Sequence, residues 1–391
     1  MTDEEDNPLS DKIVGVPHPK LAKKLIGHST QKIYFLNSYT SNRLPQCWLL
    51  AGDKGVGKAT FAWMIAKFLL TTNQEPDDIK VDLNSSNIDS ILAPQDGGTL
   101  TRIISGSEQR IYVVRKGYNE KRKAFFKNIS IDDIRNLQSY CSLSIADGGR
   151  RVIIIDTADD LNSNSCNALL KLLEEPPKNT LFLLISHQPN LLLPTVQSRC
   201  QKLLFSALSQ HDLRAVVTAT GREIDPAEEA SLSILSNGSA GVACRLLNSN
   251  SLNLYRDILN LASSLPNLNT KKAMQLSHAY FAKGKAVEFE NFIEMMQQFF
   301  SRLCKTGAMR SPISPSVTND EAKIMTYLCP SLSSAHLWAE AAEIALAKLH
   351  KGYLLNIDVE SLIIDTFIYL EKCYNAIDPN RMINEGKAKN H

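Results

Sequence analysis

The sequence lacks the features of secreted, membrane-spanning and strongly charged proteins. No two of its eight cysteines lie close together, so neither a CxxC redox motif nor a CxxC zinc half-site is present. Uninterrupted apolar runs such as residues 181–185 are far shorter than the roughly 18 residues of a membrane-spanning helix, and the acidic N-terminus MTDEEDNPLS contains no signal-like apolar segment. The 43 Lys and Arg and the 41 Asp and Glu residues leave a net charge of +2, so affinity for nucleic acid cannot depend on overall charge. We expect a cytoplasmic protein with reduced thiols and no membrane partner.

What the sequence does contain is typical of a folded chain with two or three domains. It has 391 residues, of which 43% are hydrophobic and 21% charged. Residues 1–20 are polar and acidic, and we expect a flexible arm there. Near-continuous apolar runs at 47–52, 151–156 and 180–186 alternate with helix-like segments, a pattern that predicts an α/β fold with a parallel sheet covered on both faces. After about residue 206 only helical periodicity remains, which predicts an all-α second half.

A glycine-rich loop follows the first predicted strand. Residues 52–58, GDKGVGK, have the spacing of a P-loop, whose backbone N–H groups surround phosphates while its lysine reaches the terminal ones. The next residue is Ala59, although this position normally carries a Ser or Thr hydroxyl that binds Mg²⁺, and Thr60 comes one position late. The loop therefore predicts a phosphate site with impaired metal binding.

A second candidate for the phosphate site is Asp156, at the end of the strand-like run RVIIID. Such an aspartate can bind Mg²⁺ at the carboxyl edge of a parallel sheet, as in a Walker B strand. An active ATPase of this type places a glutamate beside it, whereas this chain has Thr157. Without a metal, Asp156 would only end a buried strand and cap the following turn, and both alternatives stay open here. The candidate nucleotide-binding residues are Gly52, Gly55, Gly57, Lys58, Thr60 and Asp156.

The P-loop is the first of several motifs that follow one another in a specific order. After it come RVIIIDTADDLN, NALLKLLEEPP and LFLLISHQPNLLLPTVQSRC, and then the helical half. This order resembles the AAA+ clamp-loader family of bacterial DNA polymerase III, and within it the delta-prime type of subunit, by motif over residues 21–250 and by pattern beyond. The resemblance implies an AAA+ P-loop core over 21–205 with an insertion at 71–128, a small helical lid over 206–248, and a helical C-terminal oligomerisation (collar) domain over 249–391.

The resemblance also assigns a role to the motif Ser198-Arg199-Cys200. In this family the motif lies at a subunit interface, and its arginine reaches the ATP held by the neighbouring subunit. Arg199 would thus be the catalytic residue, an arginine finger acting in trans, with Ser198 and Cys200 as its motif neighbours. A planar, permanently charged guanidinium suits this role because it can neutralise charge on a transferring phosphoryl group. Without the motif context, the alternative would be an ordinary surface ion pair.

Two further departures from the family concern the lid and zinc. Family members carry an arginine in a Gly-Ser-x-Arg pattern at the start of the last lid helix, where this chain has Gly238-Ser239-Ala240-Gly241. Relatives often hold zinc through four cysteines after the P-loop helix, but no cysteine occurs between Cys47 and Cys141, so we expect no zinc and no other bound metal. Two outcomes stay open for the P-loop: it binds ATP or ADP without hydrolysis, or it binds no nucleotide.

The expected function follows from the resemblance. It implies a subunit of the DNA polymerase III holoenzyme, a DNA-directed DNA polymerase and nucleotidyltransferase, that assists ATP-driven loading of the sliding clamp onto primed DNA during replication. The expected partners are gamma/tau and delta types of subunit in a hetero-oligomeric ring and, through the complex, the sliding clamp and primed DNA. We expect that this chain does not hydrolyse ATP itself. The alternative is an active ATPase motor of the gamma/tau type that uses Lys58, Thr60 and Asp156.

Overall fold

The computed structural model describes two compact units of the chain. The described residues are 8–13, 16–72, 76, 79, 87–122, 124–143, 149–222, 224–248, 251–281, 286–355 and 357–377. The first unit contains residues up to 223 together with 238–245, and the second contains 224–237 together with residues from 246 onward. The lid predicted over 206–248 is thus divided between the units, and its boundaries stay a prediction. Within the described ranges, no helix is both long enough and apolar enough to cross a membrane.

A five-stranded parallel sheet forms the centre of the first unit. In order across the sheet, the strands are β2 (Ile111–Arg115), β5 (Arg151–Asp156), β6 (Thr180–Ser186), β1 (Cys47–Ala51) and β7 (Gln201–Leu204). Strands β1 and β6 are buried along their whole length, because helices cover both faces of the sheet. A separate antiparallel pair consists of β3 (Tyr118–Asn119) and β4 (Ala124–Phe125). The predicted α/β core with a parallel sheet is confirmed.

Two apolar clusters pack against the two faces of this sheet. The helices of the unit before residue 223 are α1 (Ser29–Thr40), α2 (Lys58–Thr71), α3 (Ile88–Ile91), α4 (Gly97–Ser105), α5 (Ile131–Ser142), α6 (Ser163–Glu174), α7 (Pro194–Gln197) and α8 (Gln210–Ala219). Successive strand residues point to opposite faces, so Trp48 and Leu50 join the cluster of α1 and α2, whereas Leu49 and Ala51 join that of α5 and α6. The sheet is therefore the shared wall of both cores.

Local sequence signals explain where the helices beside the sheet begin and end. The Ser130 hydroxyl accepts the Asp133 N–H and the Asp133 carboxylate accepts the Ser130 N–H, which forms a capping box at the start of α5. Helix α6 ends at Glu174, just before Pro176 and Pro177, because proline cannot continue a helix. Helix α5 therefore begins at the Ser130 cap, and α6 ends before the proline pair.

Two segments of the first unit differ from the predictions. Strand β2 lies within 71–128, the range expected as an insertion, yet it pairs with β5 and forms an edge of the core sheet. Its apolar run, residues 111–114, is short and lies in a polar, irregular stretch, so the sequence does not show that it joins the core sheet. The range 1–20, expected as a flexible arm, contains the buried side chains of Asp11 and His18. The remainder of that range includes residues 1–7, 14 and 15, which lie outside the described residues.

The described part of the second unit is built from helices, as predicted for this half. They are α9 (Pro226–Ser236), α11 (Ser251–Ala262), α12 (Thr270–Phe281), α13 (Ala286–Met309), α14 (Glu321–Leu328), α15 (Leu332–Leu354) and α16 (Val359–Ile377). Helix α10 (Ala240–Asn248) begins in the first unit and ends in the second. A buried ion pair lies in the core, where Glu321 accepts hydrogen bonds from Arg302 Nε at 2.6 Å and from the Tyr255 hydroxyl at 2.7 Å.

Candidate functional site

The glycine-rich loop at 52–58 connects β1 to α2 at the carboxyl edge of the sheet. Its three glycines have left-handed φ angles, +150° at Gly52, +82° at Gly55 and +113° at Gly57. A Cβ atom added to Gly52 would lie 2.2 Å from the Phe205 carbonyl oxygen, so glycine is required for both space and conformation. The strand, loop and helix expected for a P-loop are all present.

Lys58, the predicted phosphate-binding lysine, is bound by its own loop. Its side chain is buried, with 2% of the residue exposed, and its ammonium donates to the carbonyl oxygens of Gly52 at 2.6 Å and Asp53 at 2.5 Å. Burial lowers the pKa of Lys58 to about 8, although the Asp156 and Asp159 carboxylates act in the opposite direction. Two of the three N–H donors of the ammonium are therefore used by carbonyl groups of the loop itself.

Thr60 lies away from this arrangement. Residues two apart in a helix are separated by roughly 200° around its axis, so Lys58 and Thr60 face different directions. The Thr60 side chain lines a small surface cavity with Ala22, Met64 and Lys67. The structure therefore does not group Thr60 with the other predicted nucleotide-binding residues.

Residues 238–245 contact the glycine-rich loop directly. The Ser239 hydroxyl donates to the Lys54 carbonyl at 2.8 Å, and the Gly241 N–H donates to the Gly55 carbonyl at 2.9 Å. A Cβ atom on Gly241 would lie 2.8 Å from the Gly55 Cα atom. Gly241, which stands where the family carries an arginine, is therefore explained by close backbone packing that leaves no room for a side chain.

Asp156 ends β5, and its surroundings favour the protonated carboxyl. Burial raises the pKa of Asp156 to about 7, the negative charge of Asp11 adds to this rise, and the Lys58 charge opposes it. At neutral pH only a part of this carboxyl is ionised, which weakens it as a ligand for Mg²⁺. The Thr157 hydroxyl, at the position where an ATPase has a glutamate, donates to Asp160 at 2.9 Å. In the portion of the chain that is described, no cluster of His, Cys, Asp or Glu could hold a metal ion.

The Asp11 carboxylate reaches the same edge of the sheet. Both of its oxygens lie 3.1 Å from Arg115 Nη1, and Oδ2 lies 3.1 Å from His18 Nε2. Arg115 is the residue that pairs with Asp156 in the register of β2 and β5. Burial acts to raise the pKa of Asp11, but the His18 hydrogen bond and the Arg115 charge outweigh it, so this pKa lies below its usual value. The N-terminal segment thus contributes a charged group beside the predicted nucleotide site.

Asp159 holds the end of β6. Its carboxylate accepts hydrogen bonds from the Ser186 hydroxyl at 2.6 Å and from the His187 backbone N–H at 2.5 Å. Burial lowers the pKa of the His187 imidazole to about 3, and the positive charges of Lys58 and Lys54 contribute. His187 is therefore neutral at physiological pH, and it lacks a proton to donate to a phosphate from its second ring nitrogen.

The Ser198-Arg199-Cys200 motif lies directly before β7. Arg199 Nη2 is 2.7 Å from Oε1 of Glu174, the last residue of α6, and Nη1 donates to the Thr195 carbonyl at 2.9 Å. The Arg199 side chain is 35% exposed. The Ser198 hydroxyl also donates to the Thr195 carbonyl, at 3.2 Å. Cys200 is buried in the core, and burial raises the pKa of its thiol to about 12, so it does not provide a nucleophile.

The glycine-rich loop lies where the parallel strands end, at the carboxyl edge of the sheet, and Arg199 lies where they begin, at the amino edge. Strands β1 and β7 are parallel, and their register pairs Ala51 with Leu204 at the carboxyl edge, where the loop begins. Arg199 precedes β7 and is therefore at the amino edge, a strand length of roughly 10 Å or more away. Its partner Glu174 precedes β6 and lies at that same amino edge. Arg199 is thus held away from the glycine-rich loop of its own chain.

Similarity to known proteins is concentrated in this part of the chain. Residues 27–209 match the family model described as "DNA polymerase III, delta subunit". This region is therefore similar to subunits of DNA polymerase III. The relatives include the delta-prime subunit of Pseudomonas aeruginosa, 49% identical over 74 residues that cover 19% of this chain and 23% of that protein. The delta-prime subunit of Bacillus subtilis is 33% identical over 174 residues, 44% of this chain and 45% of the relative.

Similarity extends further along the chain in the gamma type of clamp-loader subunit. The gamma subunit of Buchnera aphidicola is 27% identical over 266 residues, 66% of this chain and 67% of that protein. The chain thus spans between 23% and 67% of the length of these three relatives. Among solved structures, a gamma subunit-related protein from Thermotoga maritima aligns with 87% of this chain and 99% of its own, at 15% identity and a TM-score of 0.39.

The contacts of two residues, Asp11 at the carboxyl edge and Glu174 at the amino edge, could not be predicted from the sequence. Asp11 lies in an acidic, polar segment, and nothing in that segment indicates a partner as distant as Arg115. Glu174 lies within NALLKLLEEPP, which was recognised as a motif, but the local pattern does not show which of its two glutamates contacts Arg199. Tertiary structure alone reveals both contacts.

Proposed function

We propose that this chain is a delta-prime-type subunit of a cytoplasmic DNA polymerase III clamp loader. It hydrolyses no ATP itself, and its Arg199 completes the ATP site of a neighbouring subunit. Its partners are gamma/tau and delta types of subunit, with the helical second unit serving as the oligomerisation collar. The assembled ring loads the sliding clamp onto primed DNA. The two delta-prime relatives support the type of subunit, and the gamma relative supports the wider assignment to a clamp loader.

The position of Arg199 is the observation that carries this proposal. Its guanidinium lies on the surface at the amino edge of the sheet, whereas the chain's own phosphate loop is at the carboxyl edge. A phosphate that Arg199 contacts must therefore come from another molecule. An arginine finger supplied by a partner accelerates hydrolysis by about 10³- to 10⁵-fold in well-studied NTPases, because it neutralises charge that develops in the transition state.

The carboxyl edge supports the other half of the proposal, that this chain hydrolyses nothing. Two of the three N–H donors of the Lys58 ammonium are used by loop carbonyls, and the residue after it, Ala59, has no hydroxyl for Mg²⁺. Thr157 stands in place of the catalytic glutamate, and close packing at Gly241 excludes the arginine of the family's Gly-Ser-x-Arg pattern. These features favour the outcome in which the loop binds ATP and ADP weakly or not at all. Calorimetric titration of the chain with MgATP and MgADP tests this part, and an affinity in the micromolar range would contradict it.

The experiment for the whole proposal is the DNA- and clamp-stimulated ATPase rate of a reconstituted loader. It compares loaders containing the natural chain, Arg199→Ala or the control Arg135→Ala, with the chain alone as a blank. Arg135 is an exposed arginine whose i,i+3 partner Asp132 is also exposed. We expect no ATP hydrolysis by the chain alone and an unchanged rate with Arg135→Ala. With Arg199→Ala, the loader should lose the whole share of the ATPase rate that comes from the neighbouring site. Assembly is checked by size-exclusion chromatography.

The gamma/tau-type motor is the competing function. It predicts that the isolated chain hydrolyses MgATP and that Lys58→Ala abolishes this turnover. ATP hydrolysis by the isolated chain would therefore contradict our proposal. An assembled loader whose ATPase rate does not change with Arg199→Ala would contradict it as well.

A further inference from the structure

The ion pair between Arg199 and Glu174 constrains the orientation of the proposed arginine finger. Nη1 donates to the Thr195 carbonyl and the Ser198 hydroxyl, and Nη2 forms the ion pair with the Glu174 carboxylate. In the described structure, the Nε–H makes no hydrogen bond or ion pair. The side chain is therefore held on one side while donors stay available for an incoming phosphate.

Glu174 is placed on a rigid support. It is the last residue of α6, whose preceding residue Leu173 is buried in the core and whose continuation is blocked by Pro176 and Pro177. A carboxylate at this helix end faces the negative end of the helix dipole, which is unfavourable for the helix itself. Helix stability therefore does not account for an acidic residue here, and of the two glutamates at this helix end it is Glu174 that contacts Arg199.

We propose that Glu174 is a positioning residue that holds the Arg199 guanidinium in the orientation required to contact a neighbouring subunit's nucleotide. This inference rests on the proposed function and adds a residue to it. Arginine has many rotamers, and a finger that is already oriented loses less conformational freedom when the phosphate binds. Glu174 stays bound to one side of the guanidinium while the opposite donors contact the phosphate. It acts through Arg199 and does not touch the nucleotide.

The matched control for Glu174 is its neighbour Glu175. Both side chains are exposed and carry the same charge, and Glu175 is the C-cap of the same helix. The test substitutes each separately, Glu174→Gln and Glu175→Gln, in the full chain within the reconstituted loader. Glutamine keeps the size of the side chain and removes its charge, so a change in overall surface charge is the same in both variants.

The expected result follows from the modest strength of exposed ion pairs. Glu174→Gln should weaken the component of the stimulated ATPase rate that depends on Arg199 by about two- to fivefold. The change should appear in kcat, with KM for ATP unchanged, and Glu175→Gln should leave both values as they are. Glu174→Asp, which keeps the charge, should recover part of the loss. Complex assembly by size-exclusion chromatography should be the same for all variants.

A double-substitution cycle distinguishes positioning from a general structural effect. If Glu174 acts through Arg199, Glu174→Gln causes no further loss in the Arg199→Ala background. An equal loss in both backgrounds, or a higher rate in Glu174→Gln, would overturn the inference. If Arg199→Ala lowers the ATPase rate but Glu174→Gln does not, the role of Glu174 is refuted and the proposed function stands. If Arg199→Ala does not lower the rate, the proposed function itself is refuted.

Discussion

The two edges of the central sheet differ in how their polar groups are used. At the carboxyl edge, Lys58 donates to loop carbonyls, and Asp11 is buried against Arg115 and His18. At the amino edge, Arg199 and Glu174 are 35% and 48% exposed and keep donors and acceptors facing solvent. The first edge resembles a nucleotide site by sequence, but Lys58 and Asp11 are bound by groups of the same chain. The second edge has no glycine-rich loop, yet its Arg199 guanidinium is partly exposed.

This difference teaches that a sequence motif and an available site are separate properties. Removing one member of a buried charged pair is destabilising because it leaves the other charge buried without its partner, whereas exposed charged pairs contribute little to stability and can act on a partner. Substitutions at the carboxyl edge should therefore change the free energy of unfolding, and substitutions at the amino edge should change the activity of the complex.

At the carboxyl edge, the free energy of unfolding should be most sensitive to substitution of Gly52. Gly52→Ala introduces a Cβ atom 2.2 Å from the Phe205 carbonyl oxygen at a φ of +150°. The strained backbone and the steric overlap should together lower the free energy of unfolding by about 2–5 kcal/mol. Urea denaturation of the isolated chain measures this. Gly106→Ala is the control, because Gly106 has a φ of +80° and open space around it, and it should lose only about 1–2 kcal/mol. Equal losses would contradict the close packing of the loop.

Asp156 should make stability depend on pH. In the unfolded chain its carboxyl has a pKa near 3.8, and burial raises it to about 7 in the folded protein. Between these values the folded chain holds a proton that the unfolded chain has lost, so stability falls as pH rises from about 4 to about 7 and levels off above. The Asp156→Asn variant should not show this fall in stability. The difference in free energy of unfolding between the variant and the natural chain should therefore change by about 1–3 kcal/mol between pH 5 and pH 7.5. Parallel denaturation profiles for the two proteins would contradict the raised pKa.

Asp11 should link the N-terminal segment to the stability of the carboxyl edge of the sheet. Asp11→Asn removes the charged partner of Arg115 and His18 and should lower the free energy of unfolding by about 1–2 kcal/mol. It should also lower the pKa of Asp156, because the nearby negative charge is lost. Urea denaturation and carbon-13 NMR titration of the Asp156 carboxyl measure the two effects. Asp132→Asn, which removes a fully exposed pair, should change neither, and a shift of the same size in this control would refute the specific contact.

Glu174 should have the smallest effect on stability. Its pair with Arg199 is exposed on both sides, so Glu174→Gln should change the free energy of unfolding by less than about 1 kcal/mol. Thermal unfolding of the isolated chain measures this. A loss as large as that of Asp11→Asn would mean that the amino-edge pair is structural, and the distinction between the two edges would fail.

The parts of this structure that could be predicted from sequence are those recorded in local patterns. Continuous apolar runs identified the central strands, the glycine spacing identified the loop, and Pro176 with Pro177 marked the end of α6. The contact between Asp11 and Arg115 joins residues 104 positions apart, and no local pattern carries such information. The same holds for Gly241, whose absent side chain has a reason only once its backbone is seen against Gly55. Strand β2 falls in the predicted insertion because its short apolar run lies in an otherwise polar, irregular stretch of sequence.

The measurement that tests the central claim most directly compares Lys58→Ala with Arg199→Ala in one reconstituted loader. The stimulated ATPase rate is recorded for both variants at matched assembly. We predict that Lys58→Ala leaves the rate unchanged, because this chain's loop hydrolyses nothing, and that Arg199→Ala removes the contribution of the neighbouring site. A loss of rate with Lys58→Ala and none with Arg199→Ala would show that the chain works through its own carboxyl edge, and the account would be wrong.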